Sequence, residues 1–273
     1  MAGPGEADPY LLGTDAVEER RLESQHQVWA AHAANAWDRA GFGPGQRLLD
    51  LGCGPGFAAI DLARRVGPDG HVLAVDESAR FIEGLTRRAR GLGLPQLSAH
   101  LARVEEVRLE PASLDGLFAR WLFCFLPDPA AALERVVPAL RPGGRLVIWD
   151  YLNYHATTLY PPSPAFDRLI VAVQDSWRRS GGDLNVGARL PALLAGAGCR
   201  IRELVPVVEY APAGSPFWTW PRTFFFPYAT RLVEEGLLSG SDRDAFESEW
   251  LERETTPGAF LCAPPMLAII AER

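Results

Sequence analysis

The stretch LLDLGCGPGF at residues 48–57 constrains the fold more than any other part of the sequence. It joins an apolar run to an amphipathic one through Gly52, Gly54 and Gly56, which stand at every second position. Glycine adopts backbone conformations that other residues avoid, and it lets a ligand approach the chain without a Cβ atom in the way. A strand, a glycine turn and a helix in this order also point backbone N–H groups and a helix N-terminus at that ligand. We therefore predict a small-molecule site at this turn.

The sequence around this turn alternates between strand-like and helix-like patterns. Buried runs predict five strands, with helices between them; the runs are RLLDL, HVLAVD, LSAHL, GLFARWLFCF and RLVIWD. Asp15, with Glu18 three residues later, predicts the start of a long helix over residues 14–40. Asp128 followed by Pro129 predicts the start of another helix. Strands that alternate with helices at this spacing predict a parallel sheet with right-handed crossovers, and so an α/β fold.

The composition of the 273 residues is that of an ordinary globular chain. No stretch approaches the roughly 18–20 consecutive apolar residues of a membrane-spanning helix, and the N-terminus lacks the basic start and apolar centre of a secretory signal. The four cysteines have no CxxC spacing, which argues against a disulfide framework and against a zinc site. We therefore expect a cytoplasmic protein with no metal and no membrane role.

The charge pattern narrows the choice of partners. The net charge is −7, all 27 basic residues are arginine, and no basic run occurs. An acidic chain without such a run is unsuited to nucleic acid as a substrate. Without lysine, no side-chain amine is available as a base or as a Schiff-base nucleophile.

The spacing of the glycines distinguishes between two ligands that use such a turn. Dinucleotide-binding turns favour GxGxxG, because a pyrophosphate lies on the helix N-terminus, whereas this turn reads GxGxG with Asp50 directly ahead of it. A carboxylate there would repel a phosphate and suit an ammonium group. Asp76, at the end of the second strand, can accept hydrogen bonds from both hydroxyls of a ribose. Ammonium and ribose without phosphate describe S-adenosylmethionine (SAM); the alternative is that the glycines only make a turn and Asp76 only caps a helix.

Residues 47–150 resemble the class I SAM-dependent methyltransferases. LDLGCGPG is similar to the family's first motif, Asp76 and Glu77 stand where its ribose-binding acid is expected, and FLPDPAAALERVVPALRPGGRLVIWD is similar to the segment from its fourth to its fifth strand. The resemblance implies a Rossmann-like fold with a seven-stranded, mostly parallel sheet, completed by an antiparallel pair from RIRELVPVV and MLAIIAE. It also implies SAM as the cofactor. The residues assigned to the cofactor in this part are Asp50, Gly52, Gly54, Gly56, Asp76 and Glu77.

The N-terminal segment resembles the leader of a bacterial small-molecule subgroup, akin to the quinone-biosynthesis C-methyltransferases. In that subgroup the leader folds over the cofactor, which makes Tyr10 and Gln25 candidate lid contacts; the alternative for Gln25 is a surface position. The implied division of the chain is a helical lid (1–40), a SAM-binding core (41–150), an acceptor-side insertion (151–188), a return to the core (189–208), a helical, aromatic-rich cap (209–259) and a final core strand (260–273). Within the cap, SPFWTWPRTFFFPY has prolines and no clear period, and we expect it to be irregular.

One position departs from the family pattern. Where the family often carries an aspartate that accepts a hydrogen bond from the adenine amino group, this chain has Arg103, followed by Val104 and Glu105. Arginine only donates hydrogen bonds, so either the Val104 backbone and Glu105 hold the adenine or the motif is displaced by a residue or two. Arg120, at the end of the fourth strand, is expected to bind the cofactor's carboxylate or an acidic substrate, or else to form a salt bridge beneath the site.

Methyl transfer is an in-line displacement from an activated sulfonium, so the protein mainly aligns the acceptor and excludes water. A base is needed only where the acceptor must lose a proton. His155, just after the fifth strand, is the candidate base, with a surface position as the alternative. Tyr151, Tyr154 and Tyr160 in the same segment are candidate pocket residues.

Aromatic residues concentrate at residues 149–273, which hold 17 of the 27 in the chain. Most are expected to form the core of the cap, and some to form a wall for a flat, apolar acceptor; the candidates are Trp218, Trp220 and Phe224. Aromatic faces also attract a cationic sulfonium. We therefore expect methylation of oxygen or carbon on a small organic acceptor, aromatic or terpenoid-like, of the kind found in secondary metabolism.

Two other functions remain open from the sequence. An NAD(P)-dependent reductase would need a phosphate-compatible turn and a YxxxK-type pair, and a chain without lysine lacks that pair. A SAM-fold binding subunit without catalysis has no sequence feature against it. The sequence neither supports nor opposes a homodimer.

Overall fold

The computed structural model describes residues 13–273, so the candidate lid residue Tyr10 lies outside the described part. The helices are α1 (Ala16–Ala40), α2 (Phe57–Val66), α3 (Ala79–Gly91), α4 (Pro129–Val136), α5 (Pro164–Arg179), α6 (Leu190–Gly196), α7 (Pro216–Glu234) and α8 (Gly240–Thr255). The strands are β1 (Arg47–Leu51), β2 (His71–Asp76), β3 (Leu97–Leu101), β4 (Leu114–Arg120), β5 (Leu140–Tyr151), β6 (Thr158–Tyr160), β7 (Arg200–Val207), β8 (Tyr210–Pro212), β9 (Phe260–Cys262) and β10 (Met266–Glu272). Among these helices, none has the length and apolar character that a membrane crossing requires.

The core is a seven-stranded sheet with the strand order β3-β2-β1-β4-β5-β10-β7. The first five strands in this order, β3, β2, β1, β4 and β5, are parallel to one another. β10 runs antiparallel to both of its neighbours, β5 and β7. The predicted α/β fold, with its seven strands and its antiparallel final strand, is confirmed. The carboxyl ends of β1, β2, β4 and β5 meet at one edge of the sheet, and ligands of open α/β sheets bind at that edge.

β1 lies in the middle of the sheet because its apolar residues are buried on both faces. Leu48 belongs to a core cluster with Trp29 of α1 and Leu62 of α2. Leu49 points to the opposite face and belongs to a second cluster, together with Leu133 of α4. The glycine turn after β1 is therefore held between two packed layers.

The helix α1 begins at the predicted cap. The Asp15 side chain accepts hydrogen bonds from the backbone N–H groups of Val17 and Glu18. Glu18 does not reach back to complete a capping box, because its carboxylate is bound by Arg21 at 2.6 Å and 2.7 Å. From this start α1 packs against α2, α7, β5 and β10 and crosses the ligand-binding edge.

The aromatic stretch that we expected to be irregular is helical. It forms α7 in spite of the internal residues Pro221 and Pro227, each of which removes one helix hydrogen bond. Trp218 and Phe225 are buried in the cap core, and burial of such a side chain stabilises by about 1.5–3 kcal/mol. The helix contacts α1, α5 and α8, so its apolar side chains point in several directions and leave no clear period in the sequence.

A small three-stranded antiparallel sheet, which the sequence did not indicate, combines strands from the acceptor-side insertion, from the cap and from the segment that follows the cap. Its order is β6-β9-β8. Because β9 (Phe260–Cys262) belongs to this sheet, the final strand of the core begins at Met266 and not at residue 260. Pro264 and Pro265 separate the two strands, since proline cannot donate to a strand ladder.

Candidate active site

Two cavities open at the edge where the parallel strands end. The first is lined by Asp50 of β1, Arg120 of β4 and Tyr151 of β5, together with residues of α1. The second is lined by Asp76 and Glu77 at the end of β2. The residues that line both cavities are Gly52, Trp121 and Phe125. The cavities therefore adjoin, and one extended ligand can lie across both.

The three glycines of the turn are required for different reasons. Gly52, Gly54 and Gly56 have φ angles of 69°, 53° and 83°, where other residues are strained. A Cβ on Gly52 would lie 2.8 Å from the Leu122 side chain, and one on Gly56 would lie 2.4 Å from Leu85. A Cβ on Gly54 would meet nothing within 4 Å, and this residue lines the first cavity. Gly54 is thus the position where a ligand can approach the bare backbone.

Asp50 is a buried acid with an unsatisfied oxygen. The residue is 2% exposed, and its Oδ2 has no hydrogen-bond partner among residues 13–273. Burial raises the pKa of Asp50 to about 7. A buried carboxylate oxygen without a partner is costly, so the site is suited to a ligand that brings a cationic donor such as an ammonium group.

Arg120 supplies the opposite charge in the same cavity. Its guanidinium lies 4.7 Å from the ring centre of Trp121, and its Nη1 is buried without a partner in the described chain. Burial lowers the pKa of Arg120 to about 10 against the opposing effect of Asp50, so the group stays cationic near neutral pH. An unsatisfied acid and an unsatisfied guanidinium in one cavity match the ammonium and the carboxylate of an amino-acid tail. These residues therefore fit the methionine part of SAM.

A hydrogen-bond relay that the sequence did not reveal holds Arg120 in place. Its Nη2 lies 3.1 Å from Nδ1 of His26, and Nε2 of His26 lies 2.9 Å from Oδ2 of Asp61. Because arginine only donates, Nδ1 must accept, and Nε2 therefore carries the proton and donates to Asp61. The relay joins β4 to α1 and α2. The one sequence feature that could have indicated this relay is the position of His26, directly after the candidate lid residue Gln25.

The second cavity has the features of a nucleoside site. Asp76 is buried, and its carboxylate accepts hydrogen bonds from the N–H groups of Gly54 at 2.8 Å and Ser78 at 2.9 Å. Burial raises the pKa of Asp76. The side chain thus ties the glycine turn to β2, and a carboxylate with two accepted bonds retains lone pairs for ribose hydroxyls. Glu77 lines the same cavity and offers a second carboxylate.

Arg103 is engaged by acids at the expected adenine position. Its Nε lies 3.8 Å from an oxygen of Glu77 and 3.7 Å from one of Glu105, with 57% of its side chain exposed. Val104 is buried and lines the cavity together with Glu105. Arg103 therefore lies between two carboxylates, and Val104 and Glu105 are among the residues that line the cavity where a base could bind.

One side of the first cavity is aromatic. We call this surface the aromatic wall; its residues are Trp121, Phe125, Tyr151, Tyr154, Trp177, Trp220, Phe224 and Phe225. Trp121 stacks on Tyr151 and on Trp220, with ring centres 6.2 Å and 6.1 Å apart. Its φ angle of 52° is left-handed, which is uncommon for a residue other than glycine. Strain of this kind concentrates at ligand sites, and no motif in the sequence marked Trp121.

Gln25 connects the lid helix to the aromatic wall. Its Oε1 accepts hydrogen bonds from Nε1 of Trp220 and from Nη1 of Arg21, both at 2.9 Å. The residue is buried and lines the first cavity, so it does not occupy the surface position weighed above. Tyr151, Tyr154, Trp220 and Phe224 also line this cavity, and their contact with an acceptor stays a prediction.

The candidate base lies away from both cavities. His155 is exposed, and its ring lies 3.4 Å from the Gln174 amide nitrogen. It occupies a short 3-10 turn, residues 154–156, in which Tyr154 is buried against the cavity. Because Tyr154 points inward, the next residue points to solvent. We do not retain His155 as a base.

Two other residues that the sequence suggested as acceptor contacts, Tyr160 and Trp218, lie outside both cavities. Tyr160 is 40% exposed and stacks on Phe260 of the small sheet, with ring centres 4.5 Å apart. Trp218 is buried against Trp250 in the cap, and its Nε1 donates to Glu254 at 3.3 Å. Neither residue lines a cavity described above.

Comparison with known proteins agrees with this geometry. Residues 43–174 match the family model of a methyltransferase domain. Methyltransferase str2 of Strobilurus tenacellus is 30% identical over 186 residues, which cover 68% of this chain and 65% of that protein. The 2-phytyl-1,4-naphtoquinone methyltransferase of Trichormus variabilis is 33% identical over 128 residues, 46% of this chain and 55% of that protein. The chain covers 47% and 65% of the length of the first two curated relatives and 55% of the naphthoquinone methyltransferase.

A solved structure shows the same fold over nearly the whole chain. Geranyl diphosphate C-methyltransferase from Streptomyces coelicolor A3(2) superposes with a TM-score of 0.59 at 17% identity, covering 94% of this chain and 80% of that one. At this identity the likeness is one of fold. The match of residues 43–174 to a methyltransferase-domain family agrees with the sheet order and with the glycine turn, so this part of the chain carries a methyltransferase domain.

Proposed function

We propose that this protein transfers the methyl group of SAM to oxygen or carbon of a small, flat, apolar acceptor, aromatic or isoprenoid-like. The observation that carries the proposal is the pair of adjoining cavities, because one suits a nucleoside and the other joins an unsatisfied acid–guanidinium pair to the aromatic wall. The names of the relatives support the acceptor class, since one acts on a naphthoquinone and a structural neighbour acts on an isoprenoid diphosphate.

The charges assign the orientation of the cofactor in this proposal. Asp50 binds the ammonium of its tail and Arg120 binds the carboxylate, because each has an unsatisfied polar atom in the first cavity. Asp76 accepts from the ribose in the second cavity, and Val104 contacts the adenine. A cofactor held in this way would span both cavities, and Gly52 lines each of them.

The remaining residues align the acceptor. SAM supplies an activated methyl group on a sulfonium. The aromatic wall excludes water from the reacting atoms and offers ring faces to the positive charge. Alignment of this kind contributes on the order of 7–11 kcal/mol to a barrier reduction, so a dedicated base is not a general requirement.

The proposal is tested by methyl transfer from isotope-labelled SAM. Phenols, hydroxyquinones, β-dicarbonyl compounds and prenyl compounds are offered in turn, and label in the organic product is measured. Label in at least one class is expected. Tight binding of S-adenosylhomocysteine (SAH) with no transfer to any class would favour a binding subunit. Binding of NAD(P)H in preference to SAH would favour a reductase.

Cofactor binding is expected to strengthen as the pH rises through 7. The ammonium of the tail needs the ionised form of Asp50, and burial raises the pKa of this acid to about 7. Between pH 6 and pH 8 its ionised fraction rises from about one tenth to about nine tenths, so SAH affinity should increase up to about ninefold. Calorimetric titration at several pH values measures this. The Asp50→Asn variant should bind SAH weakly, and its affinity should depend little on pH. If its affinity rose with pH as steeply as that of the wild type, Asp50 would not be the group that binds the ammonium.

Substitutions of Trp220 and Trp218 distinguish a residue that contacts the acceptor from one that only stabilises the cap. Trp220→Phe keeps a ring in the aromatic wall and loses the 2.9 Å hydrogen bond to Gln25, so the acceptor KM should rise about 5–10-fold, or about 1–1.5 kcal/mol. Trp218→Phe is the matched control. It should lower Tm and leave KM unchanged, because Trp218 lies in the cap core. If the two variants changed the acceptor KM equally, Trp220 would not be part of the acceptor site.

A further inference from the structure

Besides Arg120 Nη1 and Trp177 Nε1, three side chains of the first cavity offer hydrogen-bond donors that have no partner among residues 13–273. The hydroxyls of Tyr151 and Tyr154 make no hydrogen bond to a residue in the described range 13–273, although both rings line the cavity and Tyr154 is 3% exposed. The amide of Gln25 is the third donor. Its oxygen is occupied by Trp220 and Arg21, which both only donate. This fixes the orientation of the amide and leaves its NH₂ group for a ligand.

The carboxylates and the imidazole of the same cavity each have a hydrogen-bond partner or an assigned role. Both oxygens of Glu18 are bound by Arg21. In the relay, Nδ1 of His26 accepts from Arg120, and Nε2 carries the proton. Asp50 faces the cofactor's tail. Among the described residues that line this cavity, every carboxylate and imidazole therefore already has a hydrogen-bond partner or an assigned role.

Burial makes the two tyrosines donors and not bases. It raises the pKa values of Tyr151 and Tyr154 well above the ordinary value of a phenol. Both hydroxyls therefore keep their protons at neutral pH. A pair of neutral phenols in this aromatic-lined cavity can stabilise a negatively charged oxygen, since hydrogen bonds to an ionised acceptor are about twice as strong as neutral ones.

We propose that the acceptor is an acidic enol or phenol that enters the cavity already ionised, and that Tyr151 and Tyr154 hold its oxyanion with the help of the Gln25 amide. This inference rests on the proposed function and specifies its substrate class. Compounds of this class include hydroxyquinones and β-dicarbonyl enols with a flat apolar body. The tyrosines and Gln25 act as specificity-determining residues.

The transfer step balances without a base. The acceptor loses its proton to bulk water before it binds. An electron pair of the oxyanion, or of the carbon conjugated with it, then forms the bond to the methyl carbon. The carbon–sulfur bond breaks, and its electron pair stays on sulfur as the sulfonium becomes the neutral thioether of SAH. The negative charge on the acceptor and the positive charge on sulfur disappear together.

The test compares two probes of similar size and different charge. 2-Hydroxy-1,4-naphthoquinone is ionised at pH 7.5, whereas 2-naphthol is neutral. Each is titrated into the SAH-loaded full chain, and both are offered as acceptors with SAM. We expect the quinone to bind at least tenfold more tightly and to be the methylated probe. Equal binding of the two probes, or binding of neither, overturns the proposal.

Single hydroxyl deletions test the residues. Tyr151→Phe and Tyr154→Phe should each weaken quinone binding about tenfold or more, because each loses a hydrogen bond to a charged oxygen, and SAH affinity should stay unchanged. Tyr228→Phe is the matched control: its buried hydroxyl bonds to Ser176 at 2.8 Å, outside this cavity, and it should leave quinone binding unaltered. Unchanged quinone affinity in both cavity variants overturns the proposal. Methylation of 2-naphthol at the rate of the quinone also overturns it, while leaving the methyltransferase function intact.

Discussion

Replacement of Arg120 with leucine is expected to weaken SAH binding about 100-fold or more. The substitution removes the guanidinium that we assign to the cofactor's carboxylate and leaves Asp50 buried without its compensating charge. Arg120 lowers the pKa of Asp50 against the larger effect of burial, so its loss also favours the protonated acid, which binds an ammonium poorly. Loss of one partner of a buried charge pair costs about 2–5 kcal/mol, and about 2.8 kcal/mol corresponds to 100-fold.

A surface arginine provides the control for this experiment. Arg87 of α3 has 72% of its side chain exposed, with its nearest acid, Glu83, 3.9 Å away. Arg87→Leu should leave SAH affinity within about twofold, as expected of an exposed ion pair. Circular dichroism and Tm verify that Arg120→Leu is folded. If the folded variant binds SAH as the wild type does, Arg120 belongs to a salt bridge beneath the site and not to the cofactor contacts.

Gly56→Ala is expected to lower the free energy of unfolding by about 3 kcal/mol or more. The φ angle of 83° places the residue in the left-handed region, which costs a residue other than glycine about 1–3 kcal/mol. The new Cβ would also lie 2.4 Å from two carbon atoms of the fully buried Leu85, and overpacking of this kind costs about 1–3 kcal/mol. Urea denaturation measures the loss.

Two further variants separate strain from overpacking. Gly41 has a similar backbone, with φ 71° and ψ 29°, and an added Cβ there meets nothing within 4 Å. Gly41→Ala should therefore cost only the backbone contribution, about 1–3 kcal/mol, and less than Gly56→Ala. In a double-mutant cycle, Leu85→Ala should offset part of the Gly56→Ala loss. If the two glycine substitutions lowered the free energy of unfolding equally, the contact with Leu85 would make no contribution to the effect of Gly56→Ala.

The core of the fold was predictable because its signals are local. The glycine turn, the alternating runs and the Asp15 and Asp128 caps each lie within a few residues of chain, and they formed as expected with one exception. The fourth predicted strand, GLFARWLFCF, ends at Arg120, and Phe123–Phe125 form a 3-10 helix. The positions of Asp50, Asp76 and Arg120 also followed, because a residue at the carboxyl end of a parallel strand must lie at the ligand-binding edge.

The rest of the site depends on contacts between distant parts of the chain. The relay joins His26, Asp61 and Arg120 from three elements, and no spacing in the sequence records such a contact. The same holds for Gln25 and Trp220, which are 195 residues apart. α7 was missed because tertiary burial of its aromatic residues outweighs the local effect of Pro221 and Pro227.

The most direct measurement compares SAH with 5′-methylthioadenosine, which keeps the nucleoside and the sulfur and lacks the amino-acid tail. Calorimetric titration of the wild type should show SAH binding at least 100-fold more tightly, because the tail satisfies both Asp50 and Arg120. In Arg120→Leu and Asp50→Asn, affinity for SAH should fall towards that for methylthioadenosine, whose own affinity should change little. Similar affinities of the wild type for both compounds, or parallel losses for both in the two variants, would contradict the charge-matched site.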